Sequence, residues 1–363
     1  FRSILTVAMT RVGSAELRRL VRLNRDGRID PAFVAKLPPG AEITRIRALA
    51  SGQNLVAGSF PQQLTRLLND GRVDPSFKPD AAILKAVGES AVVRATFLAS
   101  GATVFGPTSA AGLRRLKPDG SRDDDFNAKS AAALGTVAAG QEIWRLVEQP
   151  DGRLLVSTLP NASDPNLWWR LQADGSLDES FQMTGTGGEL LPLAGGGLIW
   201  SWNTTRQDPV FKFVGYDAGI RRLRADGTVD ATFDAGNLPS LGGPRAVAEV
   251  DSRIYVALAS PLGERETLLR LLPDGQIDPA FTEARFAGGG AGTRLEVVRP
   301  HFGGLICSGD PVGLQTFSDV NGSSRPNLAR ILTANLPPHS YSMRVLSGPG
   351  GTGPVTEGAG NVV

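Results

Sequence analysis

A single 14-residue phrase is written six times along this chain without a gap. The copies are LVRLNRDGRIDPAF (20–33), LTRLLNDGRVDPSF (64–77), LRRLKPDGSRDDDF (113–126), WWRLQADGSLDESF (168–181), IRRLRADGTVDATF (220–233) and LLRLLPDGQIDPAF (268–281). A seventh copy, LARILTANLPPH from Leu328, keeps the opening and loses the Asp-Gly pair. The closing phenylalanines stand 44 to 55 residues apart. A period of about 40–50 residues with several short strands per unit is the pattern of a β-propeller or a related array. Each unit is too small to bury its own apolar face and must stack on its neighbours. The repeat overrides length, since 363 residues would otherwise suggest two or three ordinary domains.

Composition fits such an array. Hydrophobic residues make up 41% of the chain, enough for a continuous core, and the 44 Gly and 25 Pro fall at strand ends as turn residues. A net charge of +2 without a Lys/Arg-rich block argues against a nucleic-acid partner. No run approaches the ~18 apolar residues of a membrane-spanning helix, so membrane insertion is not expected. The single cysteine, Cys307, excludes an intrachain disulfide. It aligns with Val56, Val156 and Val256 and reads as a small buried hydrophobe. The chain opens at Phe1 inside the strand-like run ILTVAMT, as a fragment would.

Each unit has two halves. The first is a pair of apolar runs around a turn, for example IRALASGQNLVAGS (46–59), WRLVEQPDGRLLVST (144–158) and AVAEVDSRIYVALA (246–259), which is the signal for a β-hairpin. The second is the phrase itself, a short L-x-R-L strand followed by Asp26-Gly27, Asp70-Gly71, Asp119-Gly120, Asp174-Gly175, Asp226-Gly227 or Asp274-Gly275. These pairs read as tight turns whose positive φ angles both residues tolerate. Asp30, Asp74, Asp123, Asp178, Asp230 and Asp278 follow, each three residues before Phe33, Phe77, Phe126, Phe181, Phe233 or Phe281. In three copies the Asp precedes Pro, as an N-cap precedes the first helical position, so D-x-x-F reads as a capped turn that swings Phe into the core. Two hairpins give four strands per unit, and seven phrases imply about seven four-stranded blades of an all-β propeller over residues 1–338. The first unit lacks its initial strand. Either SYSMRVLSG (340–348) supplies it, or it lies upstream of Phe1.

The phrase RLnxDGxxDxxF, with a following hairpin such as QPDGRLLVS (149–157), resembles the delta-60 repeat, a bacterial propeller-like repeat. Three units depart from it in the first half, LLPLAGGGLIWSW, AVAEVDSRIYVALA and LEVVRPHFGGLICSG, which changes turn shape and leaves the architecture. The tail PVTEGAGNVV (354–363) is similar to the opening of a Calx-beta-type domain, so residues 339–363 read as a linker and the first strand of a further β module. The resemblance implies a large secreted or cell-surface bacterial protein with other β domains in the same polypeptide. It assigns no activity.

Several residues invite a chemical reading. Asn24, Asp26 and Asp30 place oxygens at alternating positions, as a calcium loop would, but Leu68, Lys117, Gln172, Arg224 and Leu272 stand where Asn24 does in the other copies. A hard cation needs about six to eight oxygens, so turn plus N-cap is the preferred reading and no metal is expected. Arg22, Arg66, Arg115, Arg170, Arg222, Arg270 and Arg330 could line a channel for an anion; the structural reading pairs each with its own unit's Asp or lays it across neighbouring carbonyls, and since six recur with the second Asp the internal pair is favoured. All five tryptophans fall within 144–202. Trp168 and Trp200 align with core positions, whereas Trp169 occupies a mixed position and Trp202 aligns near a strand exit, so these two are the candidate ligand contacts. No nucleophile elbow accompanies His301 or His339, one Cys and two separated His cannot close a zinc site, and no cofactor is indicated. Asp123-Asp124-Asp125 reads as a solvated loop capped by Asp123. The expected function is a non-catalytic binding or structural module whose ligand is a glycan or a protein. The alternatives are a propeller enzyme acting on polysaccharide and a passive spacer.

Overall fold

The structure is a computed structural model. It describes residues 3–6, 11–12, 15–16, 20–23 and 30–333, apart from 40, 94, 107–111, 139–140, 142, 159–166, 184–187, 208–213, 237, 239–242, 260–264, 289–292, 294, 296, 302–303, 310–316 and 325–327. The strand proposed at 340–348 and the tail at 339–363 lie outside the described residues, as do Asn24, Asp26 and Gly27.

Each phrase belongs to its own antiparallel sheet, and the sheets follow in chain order. Unit 1 shows Ser3–Thr6 against Leu20–Leu23. Unit 2 pairs Glu42–Ala48, Asn54–Ser59 and Leu64–Leu67, and unit 3 pairs Thr96–Phe97, Thr103–Phe105 and Arg114–Leu116. Unit 4 pairs Ile143–Glu148, Leu154–Thr158 and Trp168–Leu171, and unit 5 pairs Glu189–Pro192, Leu198–Gln207 and Val214–Leu223. Unit 6 begins with Pro244–Val250, Arg253–Ala259 and Arg265–Leu271, and unit 7 holds Val297–His301, Gly304–Ser308 and Leu328–Leu332. Unit 6 is widened by Ala284–Ala287, Asp319–Val320 and Ser323–Ser324.

The middle strands show why the units must stack. In unit 2, Leu55 packs into a cluster with Phe97 and Phe105 of unit 3, while Val56 packs with Leu20 and Phe33 of unit 1. Adjacent residues thus bury opposite faces of one sheet, and a sheet buried on both faces reads as a continuous apolar run. The same holds onward: one cluster joins units 3 and 4, another units 4 and 5, and two more join units 5 to 6 and 6 to 7. First strands touch first strands, as Ile143–Glu148 does Glu189–Pro192 and Pro244–Val250 does Val297–His301.

Three expectations are corrected. Among the described residues, units 2 to 5 show three strands and a one-residue bridge where a fourth strand was expected, at Val73, Arg122, Leu177 and Val229, whereas unit 6 makes that bridge at Ile277 and then adds Ala284–Ala287 beside its third strand. The Asp of each described Asp-Gly pair does not take positive φ; only the glycine does, at 90° to 96°. Leu68 N–H donates to Arg72 O and Gly71 N–H to Leu68 O, which makes a three-residue loop, and the Asp70 carboxylate accepts from Arg72 N–H. Asp-Ser in unit 6 does take positive φ at both residues, 49° and 59°. Finally, two helices interrupt the β pattern on either side of unit 3. The first, α1 (Ala81–Val93), is broken at Gly88, and the second, α2 (Asp124–Val137), absorbs the acidic run into its first turn. Both are rich in Ala, the strongest helix former, and Asp80 and Asp123 accept from Ile83 and Phe126 N–H at their N-termini. Ile83, Leu84 and Val87 fill the core between units 2 and 3, and Phe126 and Leu134 that between units 3 and 4.

Candidate functional site

The recurring Arg is the hub of a joint between units. Within its own unit its Nε donates to the second Asp, from Arg22 to Asp30 (2.9 Å), Arg66 to Asp74 (2.8 Å), Arg115 to Asp123 (2.8 Å), Arg170 to Asp178 (2.7 Å), Arg222 to Asp230 (2.8 Å) and Arg270 to Asp278 (2.8 Å). Its guanidinium lies over the closing Phe, 3.9 to 5.2 Å from the ring centroid. Its Nη1 reaches the next unit and donates to the carbonyl just before that unit's turn Asp: Asn69, Pro118, Ala173, Ala225 and Pro273. Arg270 does the same to Thr333 (2.9 Å), so the worn seventh copy keeps the acceptor although it lost the Asp-Gly pair. The expected internal pair is present, and the same guanidinium also takes the neighbouring carbonyl.

The turn glycines serve this joint as well as the loop. A Cβ on Gly71 would stand 2.3 Å from Val34 O, because the chain leaving one Phe runs along the next unit's turn, with Val34 N–H donating to Asp70 O. No side chain fits there at any φ.

Electrostatics follow from the same contacts. Burial opposes ionisation of Asp178, yet the Ser180 hydroxyl and Arg170 outweigh it and hold the carboxyl down at about 2. Asp230 is held at about 2 chiefly by the Thr232 hydroxyl and backbone N–H. Burial alone pushes the Cys307 thiol up, as a hydrophobe's surroundings would. Asp30, the one described member of the calcium triplet, is engaged by Arg22 and by Ala32 N–H.

Units 2, 4 and 6 add a second donor to the Asp: Gln53 Nε2 on Asp74 (2.7 Å), Arg153 Nη1 on Asp178 (3.1 Å) and Arg253 Nη1 on Asp278 (3.2 Å). Ala102 and Gly197 hold that position in units 3 and 5. The first strands of units 2, 4 and 6 also share a β-bulge, between Ile43 and Arg45, Ile143 and Arg145, and Pro244 and Ala246. A bulge leaves one residue unpaired and re-aims its neighbours' side chains. The ladder skips Thr44, Trp144 and Arg245 there, so Arg45 and Arg145 pair just after their bulges, as Ala246 does in unit 6.

The candidate tryptophans do not come together. Trp169 is half-buried against the core between units 3 and 4, whereas Trp202 is half-buried with Trp168 and Trp200 between units 4 and 5. Trp202 is in mid-strand rather than at a strand exit, because the unit 5 hairpin runs ten residues on each side. Its indole lies 4.5 Å from that of Trp200, with Arg221 above it and Gly219 opposite. A Cβ on Gly219 would come within 2.4 Å of the ring, so the glycine makes its berth. Among the described residues no group of three or more His, Cys, Asp or Glu is placed to hold a metal, and no helix is long and apolar enough to cross a membrane.

Consecutive antiparallel sheets stacked in chain order through shared cores make this a β-propeller type of fold. Residues 6–33, 149–181 and 213–233 match a family described as a domain of unknown function (DUF5122) beta-propeller. No curated protein matches the chain. Among solved structures it is similar to puromycin hydrolase, at 14% identity and a TM-score of 0.47, covering 86% of this chain and 48% of that one. It is similar to streptogramin B lyase at 13% identity and a TM-score of 0.44, covering 85% and 94%. A calcium-binding protein, regucalcin, from Agrobacterium tumefaciens aligns at 14% identity and a TM-score of 0.34, covering 76% and 88%. The chain spans about half the length of the puromycin hydrolase chain.

Proposed function

We propose that the chain is a non-catalytic binding or structural module, a propeller of about seven blades within a secreted or cell-surface bacterial protein, whose ligand is a glycan or a protein. One observation carries the reading. The residues that recur, Arg, Asp, Gly and Phe, are engaged with one another and with the next unit's backbone, so the repeat maintains a scaffold. Residues that differ between units lie at turns and on the first strands, where loops on a rigid scaffold place ligand contacts. Trp169 and Trp202 remain in this reading as aromatic contacts, each with part of its ring exposed.

Binding of the purified chain to glycan and protein arrays, run beside a reducing-end assay on the same polysaccharides, tests the reading. Saturable binding without cleavage is the expected result. Turnover of a bound polysaccharide would replace it with a propeller enzyme, and no binding on either array would leave the spacer.

A further inference from the structure

Among the described residues, only unit 6 carries its sheet past the third strand, and the addition builds a face that the repeat does not. Ala284–Ala287 pairs with Arg265–Leu271, and Asp319–Val320 pairs in turn with Ala284–Ala287. Opposite residues of antiparallel strands share a face, and neighbours along a strand take opposite faces. Glu266, Phe286 and Val320 form one row across the three strands, and all three are buried. The adjacent row, Arg265, Ala287 and Asp319, therefore lies on the other face, where it lines an open pocket of about 660 Å³. Charge in this pocket is only partly matched. Arg285 Nε donates to Glu283 and its backbone N–H to Asn321 Oδ1, so these three are engaged with one another. Asp319 Oδ1 accepts from Gly322 N–H (2.8 Å), and Arg265 is exposed. Among the described residues no carboxylate lies in ion-pair range of Arg265 and no cation in range of Asp319. A cation and a carboxylate thus stand on either side of the half-buried Ala287, their Cα atoms two strand spacings, or about 10 Å, apart.

We propose that this pocket binds a free α-amino acid, its carboxylate on Arg265 and its ammonium on Asp319. Strand side chains stand roughly perpendicular to the sheet, so the gap between the two charged groups is of the same order as their Cα spacing. One compact zwitterion, held at each end by a charge-assisted hydrogen bond of about 2.8 Å, fills such a gap. The guanidinium fork meets a carboxylate with two parallel donors, and Asp319 Oδ2 accepts from an ammonium while Oδ1 keeps Gly322. Ala287 between them keeps the floor low enough for the ligand to lie across it. This site goes beyond the binding module, whose candidate contacts Trp169 and Trp202 belong to units 4 and 5.

Titration calorimetry of the whole chain with glycine, glutamate and arginine, beside N-acetylglycine and glycinamide, tests the site. At least one amino acid should bind saturably. N-acetylglycine, which lacks the ammonium, and glycinamide, which lacks the carboxylate, should each bind at least about tenfold more weakly. Arg265→Gln and Asp319→Asn should each weaken amino-acid binding by about tenfold or more, the second while keeping an Oδ1 acceptor for Gly322 N–H. Arg72→Gln, whose side chain is 69% exposed on an Asp-Gly loop, should bind as wild type. Melting curves of all variants accompany the titrations. If Asp319→Asn melts early, Arg265→Gln, with no ion pair among the described residues to lose, carries the test alone. No binding of any of the three amino acids, equal binding of the two blocked derivatives, unchanged affinity in Arg265→Gln, or an equal loss in Arg72→Gln overturns the site. Each of these results leaves the binding module standing, since the arrays test that reading separately.

Discussion

Units 4 and 5 answer one structural demand in two ways. In unit 4 the Arg170–Asp178 pair is sealed, with side chains 1% and 4% exposed, and Arg153 supplies a second cation to the same carboxylate. In unit 5 the Arg222–Asp230 pair is 25% and 17% exposed, and Gly197 stands where Arg153 would be. Units 2 and 6 follow unit 4, while unit 3, with Ala102 and an Asp123 side chain 14% exposed, follows unit 5. The joint is therefore one design with two degrees of burial. The burial is set by the neighbouring hairpin and not by the phrase, which is equally complete in both.

The comparison can be broken most directly at the arginine. Arg170→Ala should lower unfolding free energy by about 2 kcal/mol or more, since it removes the closer of two cations from a buried carboxylate and leaves Arg153 at 3.1 Å, whereas Arg222→Ala should lower it by about 1 kcal/mol because water can solvate Asp230. Urea unfolding of the two variants measures both, and equal losses would mean that burial does not set the strength of the joint.

A smaller effect sharpens it. Removing the second donor with Arg153→Leu should destabilise by about 1 kcal/mol, as loss of one charge-assisted hydrogen bond at a carboxylate that keeps its main partner. The reciprocal donor cannot be supplied to unit 5 from the same position, because a Cβ on Gly197 would stand 2.9 Å from Leu223 O. Thermal melts of Arg153→Leu beside the wild-type chain measure the loss.

Acid gives the smallest contrast. Asp178 and Asp230 are both depressed to about 2 from an ordinary value of 3.8. A carboxyl whose pKa is lower folded than unfolded contributes stability that is complete above the unfolded value and is lost as pH falls through the folded one. Stability should thus be flat above pH ~4 with respect to these groups and decline between pH ~4 and ~2. Asp178→Asn and Asp230→Asn should each shallow that decline, and similar shallowing is expected because opposite balances of burial and hydrogen bonding reach the same value. A decline already under way at neutral pH would place the sensitive groups elsewhere.

Much of the architecture was legible in the phrase. Arg, second Asp and Phe were read as pair, cap and core insertion; the Arg–Asp pair forms in all six copies, and the Phe is buried in each except for Phe181, which is partly buried. The hairpin alignment that put Cys307 with Val56, Val156 and Val256 holds in strand register, Cys307 opposite Ala329 as Val56 is opposite Thr65. The helices were missed because AAILKAVGESAVV and DDFNAKSAAALGTV fall outside the phrase's strand and turn. The role of the turn Asp was misassigned, because Asp-Gly suits both a two-residue and a three-residue loop and only the partner strand selects between them.

By itself, the sequence determined the unit: its period, its hairpins, and the local partners of each recurring side chain, all within about ten residues of one another. Only the tertiary structure decided what each unit does to the next. The second acceptor of every joint arginine is a backbone carbonyl some fifty residues on, and a carbonyl carries no residue identity that a sequence could announce. The same holds for Gly71, whose missing Cβ is required by Val34 of the preceding unit.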